Sequence, residues 1–487
     1  MKIVTLLLLA AALAAALPDF EPAQPELFAA GGALANAWAD ADGDGDLDLF
    51  VGFNGTPNRL YLNRDGVFAE GAAAAGLADA RPTRAAAWGD FDGDGDADLL
   101  VGFAPGAGSV LRLFRNDGGR FTDVTAEAGL AVDGGAVRQP SWVDVDGDGD
   151  VDLFVAFRDR ANALFRNDAG RFTDVAADAG LADARRSVGA VWLDYDEDGD
   201  LDVVVGNMDG DANGVFRNDG GRFTDVAAQL GLEWGGRAPG LATNGTVRPC
   251  AADVDNDGRL DLFFANYGPN GLFLNRGDSR FDDVSAAWGV AIEGRYDTCA
   301  FADVDNDGRV DLYVNGTVTG GVSHPDFLFR NTGTRFDDET PAPIRALAAS
   351  HGAQWSDFDA DGDADLALAG TAAGMTHPLL RNLQPRDASA RALHVHVLDA
   401  NDRAIPGAEV RVYRAGTRTL VATRLVDTGS GYNAQSVQPL HIGVGGATTI
   451  DIELILPALG NRRTTRLPAV AVGAAAPANV VLRAQHN

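Results

Sequence analysis

The sequence predicts an all-β protein: a seven-bladed β-propeller over residues 24–384 and a small β-sandwich-like domain over residues 391–487. Three observations carry that expectation. An acidic nine-residue segment, DADGDGDLD at Asp40–Asp48, returns six more times, and successive copies start 50, 54, 50, 59, 50 and 54 residues apart. A fixed motif on a period near fifty is the signature of a repeat architecture. Each copy is also embedded in β-prone runs of about four to eight residues, separated by Gly, Asn and Asp turn signals.

The second copy shows the unit. AAAWGD reads as a strand entering the loop and ADLLVGF as a strand leaving it. VLRLFRND is a third strand, and GRFTDVTAEAGL a fourth with a short tail. Four antiparallel strands per repeat, seven times over, suit a propeller. A linear solenoid would need capped ends and usually a shorter unit. Two residues before the loops stand Trp38, Trp88, Trp142, Trp192, Ala251, Phe301 and Trp355. Large side chains at one place per repeat are expected to pack between blades. The third strands end in Asn63, Asn116, Asn167, Asn218, Asn275, Asn331 and Asn382, read here as turn residues. The seventh copy lacks a fourth strand of its own. Glu26-Leu27-Phe28-Ala29, ahead of the first copy, is expected to supply it and so remove the open sheet edges.

The loop chemistry points to a cation. Positions 1, 3, 5 and 9 are Asp in all seven copies and position 6 is Gly. Clustered carboxylates repel one another unless a cation sits between them. Hard oxygen ligands at alternating positions, with Gly at the sixth for a sharp turn, describe a Ca²⁺ loop. The expected ligands are Asp40, Asp42, Asp44, Asp46 and Asp48 in the first copy, and Asp90, Asp92, Asp94, Asp96 and Asp98 in the second. The third and fourth copies supply Asp144, Asp146, Asp148, Asp150 and Asp152, then Asp194, Asp196, Asp198, Asp200 and Asp202. The fifth and sixth supply Asp253, Asp255, Asp257, Arg259 and Asp261, then Asp303, Asp305, Asp307, Arg309 and Asp311. The seventh supplies Asp357, Asp359, Asp361, Asp363 and Asp365. Position 7 is Asp in five copies and Arg in two, so it is expected to give only its carbonyl. Up to seven Ca²⁺ are therefore expected. Mg²⁺ keeps waters and rarely takes an all-protein cage, and the loops hold no His or Cys for Zn²⁺. An EF-hand would need flanking helices and a Glu at position 12. Calcium β-helices repeat every nine residues or so.

Composition sets the surroundings. The 487 residues carry a formal charge of −31, which opposes nucleic-acid binding. Seven Ca²⁺ would bring that charge to about −17, and 28 of the 70 acidic residues are proposed side-chain ligands. Residues 1–17, MKIVTLLLLAAALAAAL, read as a secretory signal. No second spanning-length apolar stretch follows. The mature chain is expected to be an exported monomer, extracellular, or periplasmic or outer-surface in a bacterium.

Residues 384–391 read as a linker with Pro385. Beyond it ALHVHVLDA, AEVRVYRAG, LVATRLVD, TTIDIELIL and NVVLRAQ alternate as strands do. The repeat, in FxDxDGDGDxDLxVG form, resembles the FG-GAP/VCBS repeats of integrin-α-like propellers. Asn401-Asp402-Arg403-Ala404-Ile405-Pro406-Gly407-Ala408, Gly431-Tyr432-Asn433-Ala434-Gln435-Ser436 and Pro439-Leu440-His441-Ile442-Gly443-Val444-Gly445 resemble the ASPIC/UnbV domain. The order of the two resembles the cartilage acidic protein family. That resemblance implies a secreted calcium-binding propeller. Two cysteines in all exclude the Cys-rich module of animal members, and with it a carry-over of their receptor role.

No GxSxG, phosphate loop or HExxH occurs. His324, His351 and His377 are weighed as a transition-metal site and set aside. His394 and His396 read as a surface pair and His441 as structural. Cys250 and Cys299 sit three and four residues before neighbouring loops. Export and an even count favour a disulfide; the one-residue offset argues against it, because alternate strand positions face opposite ways. The functional expectation is an extracellular binding or adhesion module for a protein or glycan partner. The alternative is a polysaccharide-active lyase or hydrolase on the same propeller. The Gly-rich insertion Glu233–Val247, with Trp234 and Arg237, is a candidate rim segment.

Overall fold

The computed structural model describes residues 16–319, 321–347, 350–370, 376–385, 391–473 and 477–484. The expected leader lies almost wholly outside these residues, and so does most of the expected linker.

Each acidic loop connects the first and second strands of an antiparallel four-stranded sheet. In the first sheet the strands are Ala33–Ala39, Asp48–Phe53, Arg59–Arg64 and Val67–Glu70, in that order. The same plan recurs through the repeats, and the fifth and sixth sheets also join edge to edge, with Tyr267 opposite Arg295. Short helices such as Thr125–Ala128 follow most fourth strands, the tail seen in the sequence. The architecture is all-β and propeller-like, as expected.

The tryptophans behave as the pattern predicts. Trp38, Trp88, Trp142 and Trp192 are fully buried between successive sheets. Three of the seven pre-loop positions add a polar tie: Trp88, Trp142 and Trp355 each donate Nε1–H to a first-strand carbonyl of the preceding sheet, Ala37, Ala87 and Ala300, at 3.2–3.3 Å. An indole is large enough to fill the wedge between twisted sheets and brings its own donor.

The last sheet is completed from the N-terminus, but not by the segment expected. Phe20–Ala23 pairs antiparallel with Leu379–Asn382, six residues upstream of Glu26–Ala29. Glu26 to Phe28 form a turn instead, and Phe28 is buried against Tyr61, Phe68 and His377. Pro22 explains why the true strand reads weakly, since proline in a sheet is confined to an edge. The first and last sheets are tied by Asn36 Nδ2 donating to the Ala367 carbonyl at 3.0 Å.

Cys250 and Cys299 form a disulfide, with Cα atoms 6.2 Å apart. The offset that argued against it is the requirement for it. The two cysteines lie on the first strands of adjacent stacked sheets, so one must face forward and the other back.

The tail is a two-sheet sandwich. Leu440–Gly445, Arg391–Leu398 and Ala478–Arg483 form one sheet; Leu420–Leu425, Glu409–Arg414, Thr449–Pro457 and Arg462–Ala471 form the other. Its core holds Leu393, Val395, Val410, Val412, Ile442 and Ile452. Residues 427–438 leave this sandwich and enter the propeller. Ala434–Gln435 adds as a parallel strand to Ala86–Ala87. Thr428 Oγ1 bonds both backbone groups of Trp192, and Gln435 bonds both backbone groups of Trp142. Ser436 Oγ accepts from Trp38 N, Val437 N donates to the Trp38 carbonyl, and Gln438 Nε2 donates to the Trp355 carbonyl. The innermost strand of each sheet presents an unpaired edge to the axis, and buried backbone groups need partners. The polar plug supplies them to five sheets.

Candidate metal centres and the tail that covers them

The loop conformation explains its invariant residues. Position 6 adopts φ of +95° to +101° in all seven copies, from Gly45 to Gly362, a region that favours glycine. Position 4 has φ between +53° and +78°, and there Glu197, Asn256, Asn306 and Ala360 replace the Gly found in the first three copies. A tight left-handed value is tolerable for other residues; one near +100° is not.

Each aspartate has a distinct task. Position 1 accepts the amide of position 6, as Asp40 does from Gly45 at 3.0 Å. Position 5 accepts the amide of position 7, as Asp44 does from Asp46 at 3.1 Å. Position 9 accepts two amides, one from position 2 and one from the third-strand Asn. For Asp48 these are Ala41 N at 2.9 Å and Asn63 N at 2.7 Å. Position 7 side chains have partners of their own: Asp46, Asp96 and Asp200 accept amides of the turn after the third strand, Arg259 Nε donates to the Asn275 carbonyl in the same region, and Arg259 and Arg309 also pair with the position 5 carboxylates Asp257 and Asp307 of their loops. That placement leaves only the position 7 carbonyl for an ion and accounts for the mixture of Asp and Arg.

Carboxylate oxygens converge within 4.8 Å of one another in Asp40/Asp42/Asp48, Asp144/Asp146/Asp152, Asp194/Asp196/Asp202 and Asp253/Asp255/Asp261; in the second loop the group is Asp90/Asp92/Asp94. Several of these oxygens are buried without a hydrogen-bond partner: Oδ1 of Asp42, Asp194, Asp196, Asp255, Asp303 and Asp359. Burial, with the other loop aspartates nearby, pushes Asp48 and Asp152 up to about 7 and Asp98 to about 8. Buried, unpaired, mutually repelling carboxylate oxygens fit a hard divalent cation, and an all-oxygen donor set suits Ca²⁺. Positions 1, 3 and 9, or 1, 3 and 5 in the second loop, would hold it by side chain.

The recurring asparagine is more than a turn residue. Its side-chain amide bridges neighbouring sheets at the loops. Asn116 Nδ2 donates to the Ala41 carbonyl of the preceding loop and to the Ala97 carbonyl of its own, both at 3.0 Å. Asn63, Asn167, Asn275, Asn331 and Asn382 make the same pair of bonds, and Asn63 thereby links the first loop to Phe358 of the last. The only sequence signal was its invariance across repeats, because the partner in the neighbouring sheet is a backbone carbonyl 75–80 positions earlier in the chain, or at the far end for Asn63.

The tail sandwich sits on this loop face. Arg462 Nε lies 2.6 Å from Asp194 Oδ2, Arg424 Nη2 3.2 Å from Asp303 Oδ2, and His394 Nε2 2.9 Å from Asp357 Oδ2. These are position 1 aspartates of three loops. Arg403 reaches Asp150 at 3.3 Å, and His441 Nε2 lies 3.0 Å from the Gly362 carbonyl. His394 and His396 are thus no surface pair: His394 is buried in the interface, and burial lowers the pKa of His396. His441 is an interface residue, in keeping with a structural role.

The three histidines weighed as a transition-metal site keep separate company. His377 is buried between the Tyr61 hydroxyl and the Ala30 carbonyl, each 2.6 Å away. His351 pairs with Asp297, and His324 packs near the Tyr296 ring. Arg237 of the insertion is buried, bonding the Asp211 carbonyl at 2.6 Å and the Asn207 carbonyl at 3.2 Å, so it anchors the segment instead of reaching outward.

With this geometry in hand the chain can be placed. A family model of FG-GAP-like repeats matches residues 40–101, 144–205, 194–264 and 253–314, and an FG-GAP repeat model matches 83–121. The protein is a propeller of FG-GAP repeats. The model described as ASPIC and UnbV matches residues 398–473, the domain seated on the acidic loops. The chain is similar to cartilage acidic protein 1 of Xenopus tropicalis, 25% identical over 303 residues, or 48% of this chain and 44% of that protein. It is also similar to cartilage acidic protein 1 of Mus musculus, 25% identical over 302 residues, or 58% of this chain and 44% of that protein. The chain thus matches less than half the length of these relatives. Among solved structures, the BP39L lectin from Burkholderia pseudomallei shares the fold, with TM-score 0.50, 13% identity, and coverage of 72% of this chain and 97% of that one. No helix among the described residues is long and apolar enough to cross a membrane.

Proposed function

We propose that this chain is a secreted binding module: a seven-bladed propeller stiffened by Ca²⁺ at each acidic loop, engaging an extracellular glycan or protein. The observation that carries the reading is the division of labour between the two propeller faces. On one face the aspartate clusters, with their unpartnered buried oxygens, lie beneath the tail sandwich. The channel is filled by the plug. The opposite face, where the repeats carry their longest insertion, is the one left for a partner. Export rests on the apolar segment at residues 1–17, and the chain acts as a monomer. A fold shared with a lectin is compatible with a glycan partner.

The test is a glycan array and an extracellular-protein pull-down with Ca²⁺-loaded and chelated protein. Retention of a defined ligand only by the loaded form supports the reading. Release of reducing-end or unsaturated products from a polysaccharide would replace it with the enzymatic alternative.

A further inference from the structure

A pocket of about 400 Å³ opens at the channel mouth on the face away from the acidic loops. Its base is Tyr432, the part of the plug that packs among Leu34, Val188, Met208 and Val247. The plug closes the channel behind it, so the pocket is blind. It admits the end of a molecule and not a polymer threaded through.

The lining is unlike the rest of this acidic protein. Arg158 and Arg295 both face the pocket. Arg158 is held by Asp209 at 2.8 Å, and the Arg295 guanidinium lies over the Tyr267 ring at 4.7 Å. Behind them Arg138 is depressed by burial and by the nearby guanidiniums of Arg158 and Arg84, while its Nε is buried without a partner. A concentration of arginines in a chain of formal charge −31 marks a place for an anion. Guanidinium is the group best shaped for a carboxylate.

Two further features narrow the anion. Asp209 and Asp297 also line the pocket, and Asp297 lies 2.9 Å from His351 Nδ1. These carboxylates would repel a phosphate or sulfate dianion, but they accept hydrogen bonds from hydroxyl groups. Tyr432, whose ring lies 4.0 Å from that of His351, and Tyr267 offer flat apolar faces. A ligand satisfying all of these carries one carboxylate, several hydroxyls and an apolar C–H face. The pocket is also near the small end of the usual range for ligand sites, roughly 300–1,000 Å³.

We propose that this pocket binds the terminal hexuronate of an acidic glycan, with Arg158 and Arg295 on its carboxylate, Asp209 and Asp297 on its hydroxyls, and Tyr432 against its ring. The proposal deepens the binding-module reading and rests on it. Ala242 and Thr243 of the insertion form part of the wall, which gives that segment a role its buried Arg237 does not.

The test is calorimetric titration of the full, Ca²⁺-loaded chain with methyl glucuronide, methyl galacturonide and their neutral methyl hexosides. Each uronide is expected to bind at least about tenfold more tightly than its neutral counterpart. Arg295→Gln is expected to lose about tenfold or more, as removal of a charge-assisted hydrogen-bonding group does. Arg295→Lys should retain part of the affinity. Equal binding of acid and neutral sugars, or uronide binding indifferent to Arg295→Gln, overturns the assignment. Uronides that fail while the array finds another ligand overturn this pocket alone. If the array and pull-down are also empty, the binding-module reading falls with it.

Discussion

Replacing Asn116 by alanine would test whether the repeats are locked together at their acidic loops. The side chain makes three hydrogen bonds. Nδ2 donates to the Ala41 and Ala97 carbonyls at 3.0 Å each, and Oδ1 accepts from Gly119 N at 2.8 Å. Asn116 is 2% exposed, so water cannot replace what is lost. At about 1 kcal/mol net per bond, and more where a buried partner is stranded, the variant should lose roughly 3 kcal/mol. Asn218 is the internal control. Its Nδ2 donates to the Leu201 carbonyl of its own loop at 3.1 Å and its Oδ1 accepts from Gly221 N at 2.7 Å, without the bond to the preceding loop. Asn218→Ala should therefore cost about 1 kcal/mol less. Urea unfolding of the Ca²⁺-loaded proteins measures both as a shift in midpoint at unchanged slope. If Asn116→Ala lies within about 0.5 kcal/mol of wild type, or if Asn218→Ala is the more damaging, the inter-sheet clamp is not what these asparagines provide.

Three further outcomes are expected. Gln435→Ala should cost about 2–3 kcal/mol and speed amide exchange at Trp142, because Gln435 bonds both backbone groups of that residue; unchanged exchange would mean the plug is not seated in solution. Replacing Cys250 and Cys299 together by alanine should cost up to about 4 kcal/mol, the loop-closure value for a sequence separation of 49, and a variant as stable as wild type would remove the disulfide from the account. Burial lowers the pKa of His377 from 6.5 to about 4. The unfolded chain therefore binds the extra proton first, and this residue's contribution to stability is lost as pH falls from 6.5 through 4. His377→Gln should make the stability–pH curve shallower across that window by as much as about 3 kcal/mol, with the loop aspartates titrating alike in both proteins; parallel curves would refute it.

What could be read without coordinates was whatever is local. The Asp40–Asp48 pattern and the pre-loop tryptophans declare their roles through nine residues of sequence, and repetition amplifies the signal. What escaped depended on partners distant in the chain. The Asn116 amide serves a backbone carbonyl one repeat earlier, which leaves no trace in side-chain pattern. Phe20–Ala23 closes the last sheet with four residues and a proline, a weaker strand signal than the apolar run around Phe28. The parity of Cys250 and Cys299 misleads if they are pictured within one sheet and is required between two. Gly431–Ser436 stood out in the sequence only as a family motif, and its plugging role was hidden because the hydrogen-bonding partners of residues 427–438 are the propeller's own inner strands. His394 reads as exposed until the sandwich is seated on Asp357.

The central claim is that the aspartate clusters hold calcium and that the ion is part of the folded structure. Equilibrium dialysis of exhaustively chelated protein against Ca²⁺, with a melting curve at each concentration, tests it most directly. The account predicts uptake approaching seven ions per chain, one fewer in Asp92→Ala, and a melting temperature that rises as the sites fill, each filled site adding about 4 kcal/mol of stability at a thousandfold excess over Kd. No bound calcium at millimolar concentration, together with a melting curve unmoved by EDTA, would contradict it.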